Sequence, residues 1–209
     1  MIPVKVLAVR YLANAAPALA RELGVAAGYG SLAMLTTDSD DATYIALDAA
    51  TKAADVQVAY GRSFYAGAAN ATTPHAGEVI GILAARTPGD ARSGMEAALA
   101  ALERTGFEEV NGVPYLARTV ASVGSFLARE AGVRIGSAIA YLIAPPLESM
   151  YALDAALKAA DVKLCKLYAP PSETNFGGGL LSGSQSACDA ACAAFAAAVA
   201  EVARRPEDR

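Results

Sequence analysis

Charge is the first thing this chain is short of. Only 18% of its 209 residues are Asp, Glu, Lys or Arg, against 55% hydrophobic ones, and the net charge is -4 with no basic cluster. Nucleic-acid binding needs a basic footprint, and none is present. So little charge also leaves little polar surface to cover a folded subunit, which favours a large interface between subunits. Histidine is nearly absent: His75 is the only one. No strand-turn-helix nucleophile elbow surrounds any serine, so His75 reads as a loop residue and not as part of a triad. Long hydrophobic runs are missing too. The longest, Ala190 to Ala200, is too short to span a bilayer and has helical patterning. The first residues, Met1-Ile2-Pro3-Val4-Lys5, lack the order of a secretion signal. The three cysteines lack framework spacing, which points to a reducing compartment, and a cytosolic protein is expected.

What the chain does contain is a repeat. Leu47-Asp48-Ala49-Ala50-Thr51-Lys52-Ala53-Ala54-Asp55-Val56 returns as Leu153-Asp154-Ala155-Ala156-Leu157-Lys158-Ala159-Ala160-Asp161-Val162, and only Thr51 and Leu157 differ. Ala, Leu and Lys favour helix, and Leu47, Ala50 and Ala54 share one face of it. The alternation Val56-Gln57-Val58 has the period of a strand. An Ala-rich helix running into a strand arises easily by chance, so the flanks decide. Gly30-Ser31 matches Gly136-Ser137 in the same register, Leu19 to Val25 matches Leu127 to Val133, and Arg10 aligns with Arg118. Downstream, Gly81-Ile82-Leu83 aligns with Gly179-Leu180-Leu181. Composition alone does not keep order across so many elements. The chain therefore reads as two copies of one domain, 1–106 and 107–209, each the size of a small domain rather than of a solenoid repeat.

Each copy is expected to follow one order. Strand Val4–Ala8, helix Pro17–Leu23 stopped by Gly24, strand Leu32–Thr36 and a helix from the Asp38-Ser39-Asp40-Asp41 turn to Ala54 come first. Strands Val56–Tyr60 and Glu78–Leu83 and a helix Ala91–Arg104 follow, with Thr87-Pro88-Gly89-Asp90 as the turn into that helix. Asn111-Gly112 marks a turn early in the second copy. The register between copies drops from 106 residues (Asp48 to Asp154) to 98 (Gly81 to Gly179), so the loop 61–75 is longer than its counterpart at 170–179. The copies agree in scaffold and differ in loops, where function concentrates. The glycines Gly61, Gly67, Gly177, Gly178 and Gly179 predict mobile loops there.

The chemistry-bearing residues are few. Cys188 and Cys192 stand one helical turn apart, but no second pair completes a metal site, and they read as small apolar residues on a packed face. Gly177-Gly178-Gly179 lacks both the P-loop ending and the dinucleotide spacing, and reads as a flexible loop. Asp38, Asp40 and Asp41 lack the glycine and closing Glu of a calcium loop. Two readings remain for these acids and for Glu148: capping a helix start, or contact with a ligand. At helix N-termini the carboxylates are expected to stay ionised at neutral pH.

The repeat itself, with "DSDDATYIALDAATKAA", "VAYGRSFYAGAA", "AYLIAPPLESMYALDAALKAADV" and "PPSETNF", resembles the ethanolamine-utilisation family of bacterial microcompartment shell proteins over nearly the whole chain. The resemblance implies an α/β (α+β) fold: a tandem duplication of a circularly permuted shell domain, each a small, mostly antiparallel sheet flanked by helices. It implies a homotrimer whose six domains form a pseudohexagonal tile among other shell proteins, and no enzyme activity. It also implies a central pore gated by two loops, here with Tyr65, Gly67, Thr174, Asn175 and Phe176, where Tyr65 and Phe176 are candidate plugs. Smaller acidic channels, here lined by Asp40, Asp41, Glu78, Phe107 and Glu148, would take a small polar substrate such as ethanolamine. No cofactor or metal is expected on this reading. The alternative is a carrier of a corrinoid or a zinc ion in the same compartment. Residues 70–78 and the glycines after Phe176 depart from the family's loop pattern.

Overall fold

A computed structural model describes residues 1–64, 77–170 and 175–207. The described chain divides into two compact units.

The first unit comprises residues 3–106 together with 124–127. Its elements are β1 (Val6–Leu12), α1 (Pro17–Glu22), β2 (Ser31–Thr37), α2 (Asp40–Ala53), β3 (Val56–Ser63), β4 (Val79–Ala85) and α3 (Pro88–Leu102). The strands pair antiparallel in the order β1-β2-β4-β3. α2 packs against α3 and both lie on the sheet. The small side chains decide how closely α2 sits: Ala42, Ala46 and Ala50 are fully buried, and Leu47 fills the space between them and the strands. A Cβ at Gly81 of β4 would come within 2.8 Å of a Leu47 methyl, so the strand carries no side chain where the repeat leucine enters.

The second unit comprises residues 1–2, 107–123 and 128–209. It contains β5 (Glu108–Val110), β6 (Val113–Val120), β7 (Ala138–Ala144), α5 (Pro146–Ala159), β8 (Val162–Tyr168), β9 (Gly177–Gly183) and α6 (Gln185–Arg204). The short helix α4 (Ser125–Ala131) begins in the 124–127 segment of the first unit and ends in the second. The sheet order is β5-β6-β7-β9-β8, all antiparallel. Without β5, that is the order of the first sheet. Even the irregularities coincide, with a register shift between Val58 and Tyr60 in β3 and between Leu164 and Lys166 in β8. The extra strand hangs on Asn111-Gly112, whose φ angles of 50° and 79° are those of a tight type I′ hairpin turn. α6 is long and apolar enough to cross a membrane by length and composition. Here its stripe Cys188, Ala191, Cys192, Phe195, Val199 is instead buried in the unit's core with Ala152, Ala156 and Leu142.

Three expectations need correcting. β1 begins and ends later than the strand expected at Val4–Ala8. α3 begins at Pro88 and not at Ala91, because the expected turn is a helix cap. The Thr87 side chain accepts a hydrogen bond from the Asp90 N–H (3.1 Å) and donates one to the Asp90 carboxylate (2.6 Å), with Pro88 in the first turn. The largest difference concerns the glycines. Gly61 lies inside β3, and Gly177, Gly178 and Gly179 are buried residues of β9, not a flexible loop. Gly178 has φ 146°, and a Cβ there would lie 1.9 Å from the Leu142 carbonyl oxygen. Close approach of two backbones, not mobility, is what requires glycine.

Candidate functional site

The start of α2 gathers most of the polar groups that the sequence singled out. Thr37, at the end of β2, organises the turn. Its hydroxyl accepts from the Ser39 N–H (3.1 Å), donates to the Ser39 carbonyl (2.9 Å) and meets the Thr43 hydroxyl (2.8 Å). Ser39 is the N-cap residue, and its side chain makes no capping bond. Asp40 and Asp41 occupy the first turn and are both only 7% exposed. The Asp40 carboxylate accepts from the Asp41 N–H at 2.8 Å, so it satisfies one of the donors that a helix start leaves open. Asp38 lies outside the helix, exposed, and accepts from the Lys5 N–H at 2.8 Å.

Two groups that sequence reasoning missed complete this site. Ser63, the last residue of β3, hydrogen-bonds to the Tyr44 hydroxyl at 2.5 Å and to the Asp40 carboxylate. Tyr44 stands one turn after Asp40 on the same helix face, a spacing that could have flagged it. Ser63 gave no such signal, because the end of β3 meets the start of α2 only in the folded sheet. Glu78, half-buried, immediately precedes β4 and belongs to the same cluster.

Burial raises the Asp40 carboxyl above its ordinary value, and the hydrogen bonds from Ser63 and the Asp41 N–H offset this only in part. Glu78 is also raised, first by burial and then by the negative charges of Asp40 and Asp38. The Tyr44 phenol is pushed up to about 12 by burial, with Asp40 and Asp41 adding to the effect. Asp40 and Glu78 thus lie in a poorly solvated cluster, where the charges of Asp40 and Asp38 work against that of Glu78. Such a cluster gains from a small cation with hydrogen-bond donors. Among the described residues it does not form a metal-binding group.

The other expected site residues lie in the second unit. Glu148 is half-buried in the first turn of α5, beside Ser149, whose hydroxyl donates to the Pro146 carbonyl at 2.9 Å. Phe107 is in edge-to-face contact with Phe176, ring centres 5.9 Å apart. These two were expected at different openings, one in a small channel and one in the central gate; in the folded unit they are neighbours. Asn175 has a left-handed φ of 64°, which turns the chain into β9. Tyr65, Gly67, Thr174 and His75 lie outside the described residues. Cys188 and Cys192 are packed as expected, and burial pushes the Cys192 thiol up to about 11.

A four-stranded antiparallel sheet backed by two helices, present twice with the same strand order, defines a tandem domain protein with an acidic cluster at the start of α2. The BMC domain family matches residues 31–114. The microcompartment shell protein EutL of Clostridium perfringens is 54% identical over 99% of this chain and 97% of its own length. Escherichia coli EutL is 47% identical over 100% and 97%. The crystal structure of EutL from Leptotrichia buccalis superimposes with a TM-score of 0.96 at 54% identity, covering 100% of this chain and 98% of that one. The chain belongs to the EutL family of bacterial microcompartment shell proteins. A trimeric shell protein, PduB, shares the fold at 20% identity and a TM-score of 0.80.

Proposed function

We propose that the protein is a structural subunit of a microcompartment shell in ethanolamine utilisation, a homotrimeric tile seated among other shell proteins inside the bacterial cytoplasm. The relatives carry shell-protein names, which supports this role and not that of a corrinoid carrier. The two like units in one chain, and the scarcity of charge, suit a pseudohexagonal tile. The chain acts by assembly and passage and does no chemistry of its own. Asn175 and Phe176, with Tyr65, Gly67 and Thr174, gate a central pore.

The single observation that carries the passage function is the buried acid cluster at the start of α2. On this reading Asp40, Asp41 and Glu78 line a small channel that receives a small ammonium. Ethanolamine fits the chemistry: its ammonium relieves the repulsion among the carboxylates, and its hydroxyl finds partners such as Ser63. Titration calorimetry of ethanolamine into the parent protein and into Asp40→Asn/Glu78→Gln tests it. Charge-assisted contacts contribute about 1.5–3 kcal/mol each, so the variant should bind more than tenfold more weakly. Equal affinities, with both proteins equally assembled, would show that the acids only shape the helix start.

A further inference from the structure

A cavity of about 740 Å³ opens in the first unit, where β1 gives way to α1 and β4 to α3. Asn14, Arg21 and Arg86 bring polar groups to it, and Ala15, Ala20 and Val25 supply apolar wall. Arg86 is held in place. Its guanidinium lies 4.5 Å over the Tyr29 ring, and its Nε stands 3.8 Å from the Asp55 carboxylate. The Tyr29 hydroxyl donates to the same carboxylate at 3.2 Å, so ring, acid and guanidinium form a closed triangle. Gly28 lets the backbone pass close to this group: a Cβ there would stand 3.3 Å from Arg86 Nη1. The Arg21 side chain has no ion pair among the described residues. Two guanidinium groups thus border a cavity whose lining includes no acid, in a chain with a net charge of -4.

The second unit lacks both halves of the stacked pair. Five residues separate Val25 from Ser31, and three separate their counterparts Val133 and Ser137. Gly28 and Gly136 share a left-handed φ, 85° and 87°, so the extra residues are Tyr29 and Gly30. Val56 pairs with Ala85 as Val162 pairs with Gly183. Yet Arg86 stands between Ala85 and the helix cap Thr87, whereas Gly183 runs directly into the cap Ser184. Tyr29 and Arg86 are therefore both additions to the first copy. They come from two separate loops and meet at Asp55. The second unit builds the same strand order without them, so the sheet does not explain their presence.

We infer that this cavity binds a small organic phosphate, a phosphomonoester whose dianion is taken by Arg21 and Arg86 and whose carbon part lies on Ala15, Ala20 and Val25. A guanidinium presents its donors in a fixed fork that matches phosphate oxygens, and the stack on Tyr29 sets that fork before the ligand arrives. The Asn14 carboxamide adds a further donor. Two cations match a dianion, whereas a carboxylate would leave one of them unanswered. Ligand pockets enclose about 300–1,000 Å³, so this cavity has room for more than phosphate itself, and its apolar wall suits the remainder. The site is separate from the acid cluster. None of its lining residues belongs to the start of α2, and the two sites call for ligands of opposite charge.

Calorimetry on the full chain tests this, with phenyl phosphate, inorganic phosphate and benzoate titrated at neutral pH, where a phosphomonoester is mostly a dianion. Phenyl phosphate should bind, and the other two should bind more weakly. Arg86→Gln and Arg21→Gln should each weaken phenyl phosphate about tenfold or more. Tyr29→Leu, which keeps both charges but frees Arg86, should weaken it by a smaller factor. Arg205→Gln, in the other unit, should bind as the parent does, which separates a seated ligand from general attraction to arginine. Unchanged far-ultraviolet circular dichroism checks that each variant is folded. A parent that does not bind phenyl phosphate, or folded Arg21 and Arg86 variants that bind it as the parent does, overturns the site. Inorganic phosphate or benzoate bound as tightly as phenyl phosphate overturns the assignment of an organic phosphate.

Discussion

Asp40 shows what the site costs the fold. Its carboxyl is raised by burial, so the folded state holds a proton more tightly than the unfolded chain does. The linkage sign follows: a raised acid stabilises fully below its unfolded value, and that contribution is lost as pH rises through the folded value. At neutral pH the ionised Asp40 is therefore a burden on the empty protein. Asp40→Asn keeps the oxygen that accepts from the Asp41 N–H and removes the charge. Its melting temperature at pH 7 should exceed the parent's, and the gain should shrink on acidification toward the ordinary carboxyl value of 3.8. For ethanolamine the dependence runs the other way. The ammonium needs the ionised acids, and because Asp40 and Glu78 are both raised, affinity should fall with acidification earlier than ordinary carboxylates would allow. Calorimetry from pH 7 down toward the ordinary carboxyl values reads this directly, and an affinity that held until those values were reached would contradict it. Gly178 is the backbone counterpart. Gly178→Ala puts a methyl against the Leu142 carbonyl in a strained φ region, and should destabilise by about 3 kcal/mol or more in a urea titration.

At the scale of elements, the repeated helix and strand were legible because their period and composition survive in both copies. The strand order was not written there, yet it repeats as faithfully as the residues do. Gly177 to Gly179 misled because glycine shows no side-chain alternation; only pairing to β7 reveals a strand. The Thr87 cap is written in its Thr-Pro-x-Asp order, which spells a turn equally well. The acids of the site were visible as a helix start, whereas Ser63 and the pairing of Phe107 with Phe176 arise from tertiary neighbours that local sequence does not encode. Asp48 and Asp154 make the same point most sharply. Each sits four residues before a lysine in sequences that differ only at Thr51 and Leu157, and reads as a helix surface acid. One is fully buried beneath two backbone N–H groups, those of Gly124 and Leu127, and the other is 63% exposed. Asp48→Ala should therefore cost about 2–4 kcal/mol, because two buried donors lose their acceptor. Asp154→Ala, which removes only an exposed pair with Lys158, should cost less than about 1 kcal/mol. Equal costs would mean that the burial of Asp48 contributes nothing to the fold.

The whole molecule is explained by duplication followed by divergence at the edges. Each unit has its own sheet, its own helix pair and its own buried alanines, so the core does not require an oligomer. The large apolar side chains left exposed, among them Leu19, Ile135, Leu147, Tyr151, Leu164 and Leu167, are what an assembling subunit would bury. A shell tile has to satisfy them in a closed ring, and three chains of two units supply six domains for it. Sedimentation equilibrium of the full chain at micromolar concentration tests that claim most directly. The account predicts a single species of three chain masses that persists on dilution through this range. A stable species of one chain mass, with its apolar edges left in water, would contradict it.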